Sequence, residues 1–273
     1  MPYRSCPLRP SKLIALLAVL TGLPAMAQDG RTYECLIEPK AIVNVGSRST
    51  GILQEVQADR GMTVTKGQVL AVLNSDIEAA SVRISEERAK NDADIALAEA
   101  RLDFEKLNTQ RVETLHDRNV ASLQDLETAR ASLQIARLQV EAAQREKTQA
   151  QLDYERSKAV FDQRTIRSPL DGVVVETPLS PGEFVSESSV VVTIAEIDPL
   201  HVSAFLPLEM MGTIEIGDQV TVLPQEPTGG QVDGVVDVID RVIDARSGTI
   251  GVRITVPNPD LETLAGLRCQ VRF

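Results

Sequence analysis

The side chains able to do covalent or metal chemistry are few and scattered. Cys6, Cys35 and Cys269 are the thiols, and His116 and His201 the imidazoles. Neither histidine stands at metal-ligand spacing from a cysteine. No nucleophile–base pair, phosphate-cradling glycine loop or carboxylate constellation rises above the background of a charged chain. The residues therefore predict no enzyme, no metal site and no cofactor. Cys35 and Cys269 stand far apart in sequence, and in an oxidising compartment an isolated pair bonds, closing a long loop. Two buried free thiols are the competing reading, and shared metal binding the least favoured.

The N-terminus supplies that compartment. Arg4, Arg9 and Lys12 form a basic region, residues 13–20 an apolar run, and Ala25-Met26-Ala27 a small-residue cleavage site. That order predicts a secretory signal peptide cleaved after Ala27, hence export to a disulfide-permissive compartment. A retained anchor is the alternative, but the run falls short of the ~20 residues that span a bilayer. Cys6 leaves with the signal, and no cysteine follows the cleavage site to carry a lipid. No other apolar run is long enough to span, so the mature protein is expected to be soluble. Cleavage removes three basic residues and no acid, taking the formal net charge from −11 to −14. Such acidity argues against nucleic acid or anionic lipid as partner. With no Trp, three Tyr and five Phe, there is no platform for stacking bases either.

Three textures follow. Residues 41–75 are rich in Val, Ile, Leu and Gly and read as short strands. Residues 77–161 hold no Gly or Pro, are dense in Ala, Glu, Leu, Gln and Arg, and read as helix with one break. Residues 164–273 return to strands. The strand regions flanking the helices repeat each other at an offset of 121 residues. Ser47 matches Ser168, Gly51 Gly172, Glu55 Glu176, Gly61 Gly182, Val64 Val185 and Leu73 Ile194, with no gap. Two hairpin units of this size bury a core only face to face, so one small β-sandwich with a helical insertion is expected.

In the second helical stretch Leu126, Leu133, Val140, Lys147, Tyr154 and Phe161 recur every seven residues. Ala129, Ala136, Ala143, Ala150 and Ser157 follow three positions later, a large/small seam for close helix pairing. The first stretch is less regular: Ile77, Ile84, Ile95, Ala98, Leu102, Phe104, Leu107 and Leu115 are its apolar set, and Asn91 a polar defect. The break is residues 116–121, after which Ser122 with Asp125 forms a capping box. Arms of about 40 residues project roughly 60 Å at 1.5 Å per residue.

The run from Gly61 to Leu70 resembles the first half of a biotinyl/lipoyl domain, and the run from Ile166 to Val174 the start of the second. In a carrier domain the modified lysine sits on the hairpin joining the halves; here that place falls at about Ile77, so the resemblance implies no attached cofactor. At the tip, Arg111, Leu115 and Ser122 have the spacing R-x3-L-x6-S. This resembles the motif with which periplasmic adaptors of tripartite efflux systems, the HlyD-like or RND-type membrane fusion proteins, dock onto an outer-membrane channel of the TolC type. By that resemblance Arg111 hydrogen-bonds carbonyl groups of the channel, Leu115 packs apolar surface and Ser122 offers a hydroxyl. The plainer reading makes Arg111 a solvated charge, Leu115 the last seam residue and Ser122 only a cap.

After Pro199, short alternating strands predict a small antiparallel β-barrel, with one helical turn near Leu208–Met211. The stretch from Asp244 to Leu267 resembles the barrel of such adaptors. The expected fold is α+β: a split lipoyl/biotinyl-like β-sandwich with an inserted α-helical coiled-coil hairpin, then a β-barrel. The expected divisions are 1–27 signal peptide, 28–40 a strand pairing with the barrel, 41–75 and 164–197 the sandwich halves, 76–163 the hairpin and 198–273 the barrel. Most pump adaptors continue into a membrane-proximal domain, and the sequence stops at Phe273. The resemblance implies a homo-oligomeric trimer or hexamer ring bridging an inner-membrane transporter, RND or other, to the outer-membrane channel. A periplasmic scaffold or metal-handling protein on the same fold is the alternative.

Overall fold

A computed structural model describes residues 31–273; the signal-peptide reading and Cys6 lie outside the described residues. Two long strands, β1 (Thr32–Gly46) and β8 (Val190–Pro207), run antiparallel to each other for most of their length. One end of this pair belongs to a barrel and the other to a sandwich. The boundaries read at 40/41 and 197/198 thus fall inside strands. On β1 the joint is a register shift between Pro39 and Ala41, as expected where a proline cannot donate to the ladder.

The sandwich is built from β2 (Gly51–Val56), β3 (Thr63–Val64), β4 (Val69–Leu73), β5 (Thr165–Arg167), β6 (Gly172–Glu176), β7 (Phe184–Val185) and the sandwich ends of β1 and β8. The 121-residue repeat governs the pairing as well as the elements. β2 pairs with β7 through Gly51↔Val185 and Ile52↔Phe184, and β6 pairs with β3 through Gly172↔Val64 and Val173↔Thr63. β4 on β5 (Val69↔Arg167, Ala71↔Ile166) is reproduced by β8 on β1 (Val190↔Gly46, Val192↔Val45). Each half thus lends strands to the other's sheet, and neither completes a core alone. Local chemistry repeats too. Ser47 donates to the carbonyl of Ser49 at 2.6 Å, and Ser168 to that of Leu170 at 2.5 Å. Gly61 and Gly182 both sit at positive φ, +83° and +93°, a region that L side chains resist. Val64, Val185, Leu73 and Ile194 are wholly buried between the sheets.

The barrel closes through β1, β12 (Arg268–Arg272), β9 (Gln219–Pro224), β10 (Val232–Ile239), β11 (Thr249–Val256) and β8, with β8 returning to β1. Closure leaves no edge in this part of the sheet. Alternate residues of β8, Leu200, Val202, Ala204 and Leu206, fill its interior against Val222, Ile254 and Val271. The helical turn near Met210 is a 3-10 turn at Leu208–Met210.

Between β4 and β5 stand α1 (Asp76–Lys90), α2 (Ala93–Asp117) and α3 (Leu123–Asp162). Both α1 and α2 pack along α3, forming a helix pair whose first member is broken. The first arm has a discontinuity that its lack of Gly and Pro did not reveal. Asn91 leaves the helix at ψ 120° and its side-chain oxygen accepts from the amide of Ala93, so its short amide substitutes for the helical ladder. On α3 the seam positions are the covered ones, with Leu126, Ala129 and Ala136 buried and the remainder half-buried. The first arm differs from expectation: Ile77, Ile84, Phe104 and Leu107 face outward, while Glu105 and Thr109 are buried against α3. Glu105 is held by Arg101 at 2.7 Å, and the Thr109 hydroxyl donates to the Ala129 carbonyl at 3.1 Å. Satisfied in this way, two polar groups occupy places that hydrophobicity alone assigned elsewhere.

Candidate functional site at the helix tip

The turn between α2 and α3 is closed by its own polar groups. The Leu115 carbonyl accepts from the amides of Val120 (2.8 Å) and Ala121 (3.3 Å), and the His116 carbonyl from Asn119 (2.8 Å). Asn119 takes φ 59°, a left-handed value that asparagine tolerates. His116 Nδ1 lies 2.9 Å from the Ala121 carbonyl, so it donates there. Ser122 caps α3: its hydroxyl accepts from the Asp125 amide at 3.2 Å and donates to Asp125 Oδ2 at 2.6 Å. The amide of Ser122 donates to the same carboxylate at 3.0 Å. These bonds, the hydroxyl's first, hold the Asp125 carboxyl below its ordinary pKa. Just inside the tip, Glu113 accepts from Arg130 at 3.0 and 3.2 Å, tying the arms together.

The three residues singled out by spacing stand as follows. Arg111 is exposed and makes no ion pair among the described residues. Leu115 is 36% exposed, and beside it in sequence Val120 and Leu123 are 72% and 59% exposed. Those two apolar residues were missed; the signal was available, since an aliphatic side chain in a short turn has no core to enter. Ser122 is at the tip, but its hydroxyl is engaged within the capping box. The tip therefore presents a guanidinium with no ion pair among the described residues, beside an apolar cap on a short, internally bonded turn. Such a surface suits packing and hydrogen bonding to another helical protein.

At the far end of the chain, Cys35 and Cys269 are register partners of β1 and β12, joined by a disulfide with Cα atoms 4.9 Å apart. Both are buried. Tyr33 on β1 and Phe273, just past the end of β12, meet edge to face at 6.1 Å. No group of three or more His, Cys, Asp or Glu among the described residues is arranged to hold a metal ion, and no helix there is long and apolar enough to cross a membrane.

The family model for the CzcB-like, barrel-sandwich hybrid domain matches residues 41–196, from the sandwich end of β1 through the helices to β8. The chain belongs to this family. It is a membrane fusion protein of the HlyD-like, RND type, in keeping with the split repeat. Among curated relatives, the cobalt-zinc-cadmium resistance protein CzcB of Cupriavidus metallidurans is 27% identical over 253 residues, 92% of this chain and 46% of that protein. The multidrug efflux pump subunit AcrA of Escherichia coli is 24% identical over 246 residues, 85% of this chain and 59% of that one. The chain spans about half the length of the first of these relatives. Among solved structures, MacA from Actinobacillus actinomycetemcomitans shares the fold with a TM-score of 0.74 at 21% identity, covering 89% of this chain and 77% of that one. For this membrane fusion protein, the sandwich sets the direction of the helix pair. α1 leaves directly after β4 and α3 returns directly into β5, neighbouring strands of one sheet. Arg164 fastens that base, donating to Glu78 at 2.5 Å and to the Thr50 carbonyl at 2.6 Å.

Proposed function

We propose that this chain is a non-enzymatic periplasmic adaptor that links an inner-membrane transporter to an outer-membrane channel of the TolC type. The observation that carries the reading is the helix pair anchored between two strands of one sandwich, whose tip carries Leu115 and an exposed Arg111 with no ion pair among the described residues. A projection this thin buries little surface for its length, so its contribution is reach rather than stability. In this reading residues 76–163 act as a coiled-coil hairpin, with 41–75 and 164–197 the split sandwich and 198–273 the barrel. The segment 28–40 completes the barrel, and residues 1–27 are the signal. Arg111, Leu115 and Ser122 dock on the channel, and several copies form a ring around its axis.

The names of two relatives support divalent metal cations as the cargo of the assembly. One is the cobalt-zinc-cadmium resistance protein above. The other is the nickel-cobalt-cadmium resistance protein NccB of Alcaligenes xylosoxydans xylosoxydans, 27% identical over 233 residues. The adaptor itself offers no ligand set for such ions among the described residues.

The test is photo-cross-linking in intact cells from a probe replacing Val120. Adduct formation with an outer-membrane channel is expected, and an adduct only with soluble proteins removes the bridging role. Loss of tolerance to zinc, cobalt or cadmium on deletion, restored by the wild-type chain, supports the cargo; unchanged tolerance removes it.

A further inference from the structure

Two features of the sandwich are unused by its folding and lie at opposite edges of one sheet. The four-stranded sheet runs β5-β4-β2-β7. At its β5 edge an open slot of about 650 Å³ separates β5 from the sandwich end of β1, floored by Val43 and Ile166. Arg48 and Arg167 line it, and neither makes an ion pair among the described residues; Asp162 is the carboxylate on its wall. At the opposite edge, Ile52 and Phe184 are cross-strand neighbours, 47% and 63% exposed. Exposed Glu183 precedes this pair and exposed Glu187 follows it, again without ion pairs among the described residues.

The repeat shows that this apolar pair is no requirement of the fold. Its counterparts in the other sheet are Val173 and Thr63, which make the equivalent strand contact with smaller side chains. A large apolar pair in solvent, in a protein whose formal net charge is −11, has no role inside the monomer. An aromatic knob with carboxylates beside it, and an open slot whose guanidiniums form no ion pair among the described residues (Arg167 donates only to the Gly67 carbonyl, at 3.0 Å), are complementary in shape and charge.

We propose that Phe184 and Ile52 of one copy seat in the β1–β5 slot of the next, with Glu183 and Glu187 facing Arg48 and Arg167. Because knob and slot lie on different edges, the contact is heterologous: each copy gives one and receives one, which builds a ring when the rotation between copies closes. The inference rests on the ring-forming reading above and names the surface that makes it.

Cysteine pairs joined by a short bis-maleimide test it on the mature chain with its disulfide intact. Arg48→Cys alone and Glu183→Cys alone are expected to stay uncoupled. Mixing the two gives a dimer, and the double variant a ladder that stops at the ring size. Phe184→Ser is expected to weaken self-association at least tenfold without altering the circular dichroism spectrum. Arg48→Glu with Arg167→Glu is expected to do the same and to be rescued by Glu183→Arg with Glu187→Arg. Self-coupling of either single variant, or an absent ladder while native mass spectrometry shows a wild-type ring, overturns this surface and leaves the ring intact. A wild-type chain that is monomeric at every concentration overturns both.

Discussion

Lys147 on α3 pairs its ammonium with the carboxylate of Asp92, the N-cap residue just before α2, across the point where the first arm breaks. Lys147 holds the seam position between Val140 and Tyr154, where the heptad calls for an apolar side chain. Opposite it the first arm has no continuous helix to pack, only the Asn91–Asp92 step. The cation therefore matches the break, and the two departures explain each other.

Replacing Lys147 by Leu is expected to leave the helices paired and to shift stability by no more than about 1 kcal/mol. The exposed ion pair it removes and the partial apolar burial it gains are each of that order. Replacing Asn91 and Asp92 together by Ala is expected to join α1 to α2 and deepen the helical signal at 222 nm. Urea titration and circular dichroism measure both; an unchanged helical signal would show that packing, not the Asn91 side chain, imposes the break.

Much of this architecture is legible from spacing. The 121-residue repeat foretells which strands exist, because Gly61 and Gly182 need the same turn and Val64 and Val185 the same burial. The α3 seam is legible because a large/small alternation over five heptads has one face to hide. The first arm is not, since Glu105 and Thr109 are buried through bonds to Arg101 and the Ala129 carbonyl that no periodicity reports. What spacing does not report is that β1 and β8 run through both cores as continuous strands, with only the register shift between Pro39 and Ala41 to mark the change. At the tip, Ser122 and Asp125 were readable as a cap, whereas Val120 and Leu123 follow no period and were passed over.

The Cys35–Cys269 bond ties the first described strand to the last. Peptide mapping under non-reducing conditions is expected to recover the two cysteines linked; two free thiols would remove the bridge. Substituting both by Ser is expected to cost about 2–5 kcal/mol of unfolding free energy, mostly by releasing the unfolded chain. The barrel should nevertheless still form, because β1 also keeps its ladder with β8.

His201 gives the barrel a pH dependence. Burial holds its pKa below the ordinary value, and the nearby Arg253 guanidinium acts in the same direction. The unfolded chain, near 6.5, therefore takes up a proton before the folded one does. The linked stability is complete above about pH 6.5 and is lost as the pH falls from there through the lowered folded value. A melting temperature flat above neutrality and falling as the pH drops below about 6.5 is expected. His201→Gln should flatten that segment while leaving the carboxylate-driven loss at lower pH; an unaltered profile would assign the dependence to other groups.

At the tip the predictions for Arg111 and Ser122 separate docking from folding. Arg111→Asp touches no ion pair among the described residues, so the melting temperature and helical signal should stay at wild-type values. If the guanidinium meets channel carbonyls, the same change should abolish cross-linking to the channel from Val120. Ser122→Ala deletes the cap and is expected to cost about 1 kcal/mol, visible as fraying of the first turn of α3. Ser122→Asn or Ser122→Asp retains a capping oxygen and should recover most of that stability. Cross-linking that recovers with the cap means the hydroxyl acts by shaping the turn. Cross-linking that stays low in a well-capped variant means the channel reads the serine itself.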